Sequence, residues 1–167
     1  QKQSLKHPNQ ARMPGLRIPT LKQLFDAILA HPDGHSLQFN LEIKRDTESV
    51  DCRTPPSCEL AQRVVEEVAA CTLNHRVRYS SFDFDILRCV RKLDVNAVIG
   101  VLQDETLVGL AEKVSEISAQ IVSPKWDLLK TVQDVELLRR CVKTTTETTT
   151  VAPVSPPAPC FYTSVTS

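Results

Sequence analysis

The chain alternates between two hydrophobic periods, and that alternation limits the folds open to it more than any other feature. Thr20 is placed to cap a helix in which Leu21, Leu24, Phe25, Ile28 and Leu29 recur at helical spacing. A strand-like run from Ser36 to Lys44 follows, then a polar loop rich in Asp, Thr and Pro. Residues 59–73 carry Leu60, Val64, Val65, Val68 and Cys71 along one helical face. Val77–Ser81 reads as a strand, Asp83–Lys92 as a helix and Ala97–Leu102 as a buried strand. Asp104–Ser118 is again amphipathic, Ala119–Val122 is a fourth strand, and a last helix spans about Gln133–Val142. Four strands interleaved with helices at this spacing predict consecutive right-handed βα units and a parallel sheet.

Composition sets the outer bounds. Apolar residues make up 41% of the 167 positions and charged residues 24%, enough to bury a core and close to the globular average. With 20 basic and 20 acidic side chains the net charge is zero, which gives no footprint for nucleic acid or an anionic surface. No stretch approaches the roughly 18 to 20 apolar residues of a membrane span, and the polar lead-in, residues 1–16, shows no signal-peptide pattern. The composition breaks at Lys143: of the 24 residues from Thr144 to Ser167, 15 are Thr, Ser or Pro. Such a segment has little apolar area to offset its ordering entropy, so residues 144–167 are expected to be a disordered tail.

The six cysteines form no CxxC pair, and no histidine stands at zinc-finger spacing. Cys71, Cys89 and Cys141 sit among apolar residues and read as small buried hydrophobes, whereas Cys52 and Cys58 bracket a loop they could close as a disulfide. The usage otherwise suits a reducing compartment, so the expected location is cytoplasmic. The four glycines, at 15, 34, 100 and 109, are isolated, which argues against dinucleotide and phosphate-loop folds.

Two stretches carry chemistry. In Phe39-Asn40-Leu41-Glu42-Ile43-Lys44, strand parity puts Phe39, Leu41 and Ile43 on one face and Asn40, Glu42 and Lys44 on the other. Strands of a parallel sheet are ordinarily covered on both faces, so a carboxylate and an ammonium near a strand's C-terminal end call for an ion, for each other or for open water. Spacing alone leaves open both a ligand-binding mouth and a solvated edge strand. In Tyr79-Ser80-Ser81-Phe82-Asp83-Phe84-Asp85, a strand end runs into a helix start, where Asp83 suits a capping role.

Taken together in order, Ile18-Pro19-Thr20-Leu21, then Phe39–Lys44, then Ser80-Ser81-Phe82-Asp83 resemble the middle of a glycerophosphodiester phosphodiesterase domain. The wording of the last two is similar to the intracellular eukaryotic branch that acts on glycerophosphocholine. The likeness runs from about Arg17 to Val142, roughly three quarters of the chain. It implies an α/β fold that is an incomplete (β/α)8 TIM barrel of about four consecutive βα units, occupying residues 17–143. It further implies a divalent cation, Mg²⁺ or Ca²⁺, with Glu42 as a metal ligand and Lys44 at the phosphate end of a glycerophosphodiester pocket. Lys125, beside Trp126 after the fourth strand, is a candidate secondary phosphate contact.

The family's two catalytic histidines, in a His-Arg and a His-Asp pair, precede the Pro-Thr-Leu motif. His7, His31, His35 and His75 reproduce neither pair and read as surface histidines, so no catalytic residue is assigned. The chain alone is expected to be inactive, and its open strand edges to favour poor folding or self-association. The alternative is a non-catalytic interaction module derived from a half barrel. A small flavodoxin-like domain is a weaker rival, lacking the required first loop.

Overall fold

A computed structural model describes residue 13 and residues 15–45, 54–146 and 161–166. Five parallel strands form one sheet in the order β4-β3-β2-β1-β5: β1 Phe39–Lys44, β2 Val77–Ser81, β3 Val98–Gln103, β4 Ile121–Pro124 and β5 Phe161–Thr166. The helices are α1 Leu21–Leu29, α2 Ser57–Ala70, α3 Phe84–Leu93, α4 Leu110–Glu116 and α5 Val132–Thr146. Each of β2 to β4 lies beside its predecessor in sequence, so successive right-handed crossovers return their helices to the same face.

Burial follows that topology. Phe39, Leu41, Ile43, Val77, Tyr79, Ile99 and Val101 share one sheet face and join Phe25, Val68, Leu87 and Val114 of the helices in a single core. On the other parity of β1, Asn40 and Glu42 are half-buried and Lys44 is exposed. Helices on one side and a half-open face on the other exclude the doubly wound, flavodoxin-like rival, whose sheet is covered on both sides.

Local chemistry sets the element ends. Thr20 and Gln23 form a reciprocal capping box at the start of α1, with Gln23 N–H donating to Thr20 Oγ1 at 3.2 Å and Thr20 N–H to Gln23 Oε1 at 2.9 Å. α4 is shorter than its amphipathic pattern, because Gly109 adopts φ +69° and starts the helix there. Before β1, the backbone turns through Pro32–Ser36, and Gly34 is packed so closely that a Cβ there would stand 1.7 Å from the Ile28 carbonyl oxygen. The buried Arg76 guanidinium holds this turn, donating to the Gly34 and Leu37 carbonyls while lying 5.3 Å from the Phe39 ring centre.

Three expectations are revised. Cys58 is bonded to Cys89, joining α2 to α3 across a Cα–Cα distance of 5.2 Å, in place of a Cys52–Cys58 link. Packing α2 against α3 brings these two together, whereas Cys52 lies outside the described residues. Cys89 is thus buried as expected but as half of a disulfide, a bond that oxidising surroundings preserve, and Cys71 and Cys141 are half-buried free thiols. Finally, residues 144–146 extend α5, and residues 161–166 pair in register with β1, from Phe39↔Phe161 to Lys44↔Thr166. The composition placed both segments in a disordered tail; residues 147–160 and 167 lie outside the described residues. The free edge of β1 offers backbone partners that the β-favouring run Phe-Tyr-Thr-Ser-Val-Thr can meet, which composition cannot register. No described helix is long and apolar enough to cross a membrane.

Two outcomes follow from this packing. Gly34→Ala lowers the urea-unfolding free energy by about 1–3 kcal/mol, the usual cost of overpacking. Gly100→Ala, whose new Cβ would meet its nearest neighbours at 3.5–3.7 Å, leaves it nearly unchanged. Reducing the Cys58–Cys89 bond, which spans 31 residues, lowers stability by about 3–4 kcal/mol in the same assay, with Cys58→Ser matching the reduced chain.

Candidate functional site

Of the residues that sequence parity singled out, Lys44 stands at the C-terminal strand ends. A cavity of about 420 Å³ opens there, lined by Ile43, Lys44, Arg45, Ser81, Phe82, Asp83 and Asp104, one cluster from the end of each of β1, β2 and β3. Parallel α/β sheets place their binding sites at this end, because the connecting loops converge on it.

A polar network holds the cavity wall. Ser81 Oγ donates to the Ile43 carbonyl at 2.7 Å and accepts from Asp83 N–H at 3.0 Å, tying β2 to β1. Asp83 caps α3: its Oδ1 accepts from Asp85 N–H at 2.8 Å and Ile86 N–H at 3.3 Å. Its Oδ2 accepts from Ser57 Oγ at 3.0 Å and faces Arg45 Nη1 at 3.6 Å, while that same Nη1 donates to Ser57 Oγ at 3.2 Å. Asp83 is therefore the cap that sequence position implied. It also anchors α2 and the segment after β1, a role no local pattern announced. Arg45 and Ser57 went unnoticed in the sequence because their partners lie 12 to 38 residues away.

Lys44 reaches the cavity as an exposed cation, whereas Glu42 sits one turn of the pleat deeper, half-buried and outside the lining. Glu42 is level with Ser80 on β2 and Ser164 on β5, and Ser80 with Gly100 on β3, so this row crosses the open face of the sheet. The structure thus brings Glu42 and Lys44 to one face near one strand end, as parity required. Lys125 stands apart, after β4, where its ammonium pairs with Asp127 at 2.7 Å; that contact raises its pKa and occupies it. His31, His35 and His75 are exposed, and His31 Nδ1 accepts from Asp33 N–H at 3.2 Å in a local turn; His7 lies outside the described residues.

Ca²⁺ takes six to eight oxygen ligands, and Mg²⁺ an octahedral shell in which one or two carboxylates are joined by waters and substrate phosphates. Among the described residues no group of three or more His, Cys, Asp or Glu could hold a metal ion. Asp83 is committed to the α3 cap and Glu42 is a single carboxylate on its strand. The described residues therefore do not fit a Mg²⁺ or Ca²⁺ centre by themselves.

Because Asp83 serves three elements, Asp83→Ala is expected to lower stability by about 2–3 kcal/mol, more than the ~1 kcal/mol of a typical cap loss, while Asp83→Asn keeps the cap and costs less. Chemical denaturation of the two variants side by side checks the difference.

Comparison with known proteins bears on the fold. No protein-family model matches the chain, and no curated protein sequence does. Solved structures do match. A glycerophosphodiester phosphodiesterase from Parabacteroides distasonis superposes with a TM-score of 0.58 at 16% identity, over 76% of this chain and 48% of that one. A Silicibacter pomeroyi protein assigned as a glycerophosphoryl diester phosphodiesterase gives 0.62 at 21% identity, over 82% of this chain and 48% of that one. A Galdieria sulphuraria protein assigned as a glycerophosphodiester phosphodiesterase gives 0.53 at 20% identity, covering 86% and 64%. The chain spans about half the length of the first two and under two thirds of the third. Its sequential parallel strands with one-sided helices are a partial TIM barrel, the fold portion it shares with these phosphodiesterase structures.

Proposed function

We propose that the chain is the central portion of a glycerophosphodiester phosphodiesterase barrel of the kind that acts on glycerophosphocholine. The observation that carries this reading is the position of Glu42 and Lys44. Both occupy the uncovered sheet face near the C-terminal end of β1, beside a cavity whose wall is held by Ser81 and Asp83. In the complete domain, water would add to phosphorus as the bond to the alcohol oxygen breaks, giving glycerol phosphate and an alcohol such as choline. Lys44, exposed at the cavity, suits stabilisation of the phosphoryl oxygens as charge develops. Glu42 would supply one oxygen ligand of a Mg²⁺ or Ca²⁺ ion whose remaining donors lie beyond the described residues. Lys125 is at best a secondary phosphate contact, since binding there must displace Asp127.

Among the described residues no histidine lines the cavity, and the chain by itself is expected to be inactive. Purified chain with Mg²⁺ or Ca²⁺ should release no choline or glycerol phosphate from glycerophosphocholine above the buffer rate. Turnover that Glu42→Ala abolishes would refute the inactivity. A domain that restores the missing strands should turn over the substrate, and there Glu42→Gln should cost at least about a hundredfold in kcat, as for loss of a metal ligand or its support.

One observation favours a second reading, a non-catalytic module that pairs with another chain or with its own copy. Among the described residues no strand lies beyond β4, and between β4 and α5 lies an apolar cavity of about 670 Å³ lined by Ile121, Val122, Leu129, Val135 and Leu138 among others. Such an edge recruits partners. On this reading gel filtration yields a concentration-dependent dimer or larger species, and Val122→Lys shifts it toward monomer.

A further inference from the structure

The strand order holds one break in sequence. β1, β2, β3 and β4 are neighbours in chain order, whereas β5, which follows β4 in sequence, pairs with β1 at the opposite edge of the sheet. The chain must therefore carry β5 past three strands, a distance of four strand spacings or about 19 Å. Residues 147–160, 14 in all, separate the end of α5 from the start of β5, and a chain of that length reaches at most about 50 Å. The length that lets Phe161–Thr166 meet β1 of its own chain also lets it meet β1 of another.

β5 is the strand least tied to the rest. β4, at the other edge, is packed by α5 as well as by β3, whereas among the described residues β1 is the only element against which β5 packs closely. An element held by one backbone ladder opens at lower free energy than the strands inside the sheet. Its sequence, Phe-Tyr-Thr-Ser-Val-Thr, has no charge, proline or glycine, the composition that favours strand pairing between chains. The ladder from Phe39↔Phe161 to Lys44↔Thr166 is the same whichever copy supplies β5. Exchange therefore keeps every pairing and alters only the connection, the circumstance in which swapping an element between copies costs least.

We propose that the β1 edge is an exchangeable strand-binding site whose partner is a second copy of this chain, each copy laying Phe161–Thr166 along β1 of the other. In that dimer each copy contributes its Ser164 to the position level with Glu42 of the other. The exchange is independent of the hydrolytic reading, and it does not use the β4 edge.

Two full-length variants, Asn40→Cys and Tyr162→Cys, place thiols at positions paired in the β1–β5 register. They are mixed at about 1 mM, the scale of the effective concentration that a short connection gives its own strand, then diluted and oxidised briefly. The mixture is expected to yield about tenfold more covalent dimer than either variant alone, since only exchange brings the two thiols together. Glu42→Cys mixed with Ser164→Cys, the next pair on the same face, repeats the measurement should the first pair fold badly. Thr163→Pro with Ser164→Pro, added to the Tyr162→Cys copy, should return the dimer to background. Of two consecutive strand residues, one directs its N–H at the neighbouring strand, and proline removes it. Val122→Lys in both copies should change nothing. The proposal is overturned if neither mixture exceeds its single variants, if the dimer survives the prolines, or if Val122→Lys removes it, which would mean that the copies meet through β4.

Discussion

Every feature of this molecule depends on the pairing of consecutive strands in parallel. Because β1, β2, β3 and β4 lie side by side in sequence order, each crossover returns its helix to the same side of the sheet. One face therefore buries a continuous core from Phe25 and Phe39 through Ile99 to Val114. Among the described residues no helix covers the other face, which is why it can carry Asn40, Glu42 and Lys44 without the desolvation cost a doubly covered sheet would impose.

The same constraint explains how the mouth is assembled. Parallel strands end together, so the segments after β1, β2 and β3 meet within one cavity even though they are far apart in the chain. Hydroxyl and carboxylate groups then stitch the segments: Ser81 to the β1 backbone, Asp83 to the α3 amides, and Ser57 and Arg45 to Asp83. This network is structural in what it does to the backbone, and it leaves Lys44 as the exposed cation of the cavity.

A partial barrel also has edges, and this chain treats its two differently. On the β1 side the C-terminal strand β5 satisfies the ladder in register, placing Ser164 level with Glu42. On the β4 side there is only a four-residue strand ending in Pro124, and a short strand ending in proline offers fewer pairing groups than a long one. The disulfide between Cys58 and Cys89 adds a covalent tie between α2 and α3, over the middle of the sheet, where it limits how far those helices can separate when an edge frays.

Much of this was legible without coordinates. The order of strands and helices, the Thr20 cap, the Asp83 cap and the shared face of Glu42 and Lys44 all follow from local periodicity and capping chemistry, which act over a few residues. The likeness to phosphodiesterase barrels rested on short motifs in the right order, and the fold comparison agrees with it at the level of architecture. What local patterns could not supply were the features joining distant residues: Cys58 with Cys89, Arg45 and Ser57 with Asp83, and Phe161–Thr166 with β1. Periodicity determines which side of an element is apolar, because that depends on near neighbours along the chain. Which cysteine, carboxylate or strand edge meets which partner depends on strand order and register, and those are settled only when the whole sheet packs.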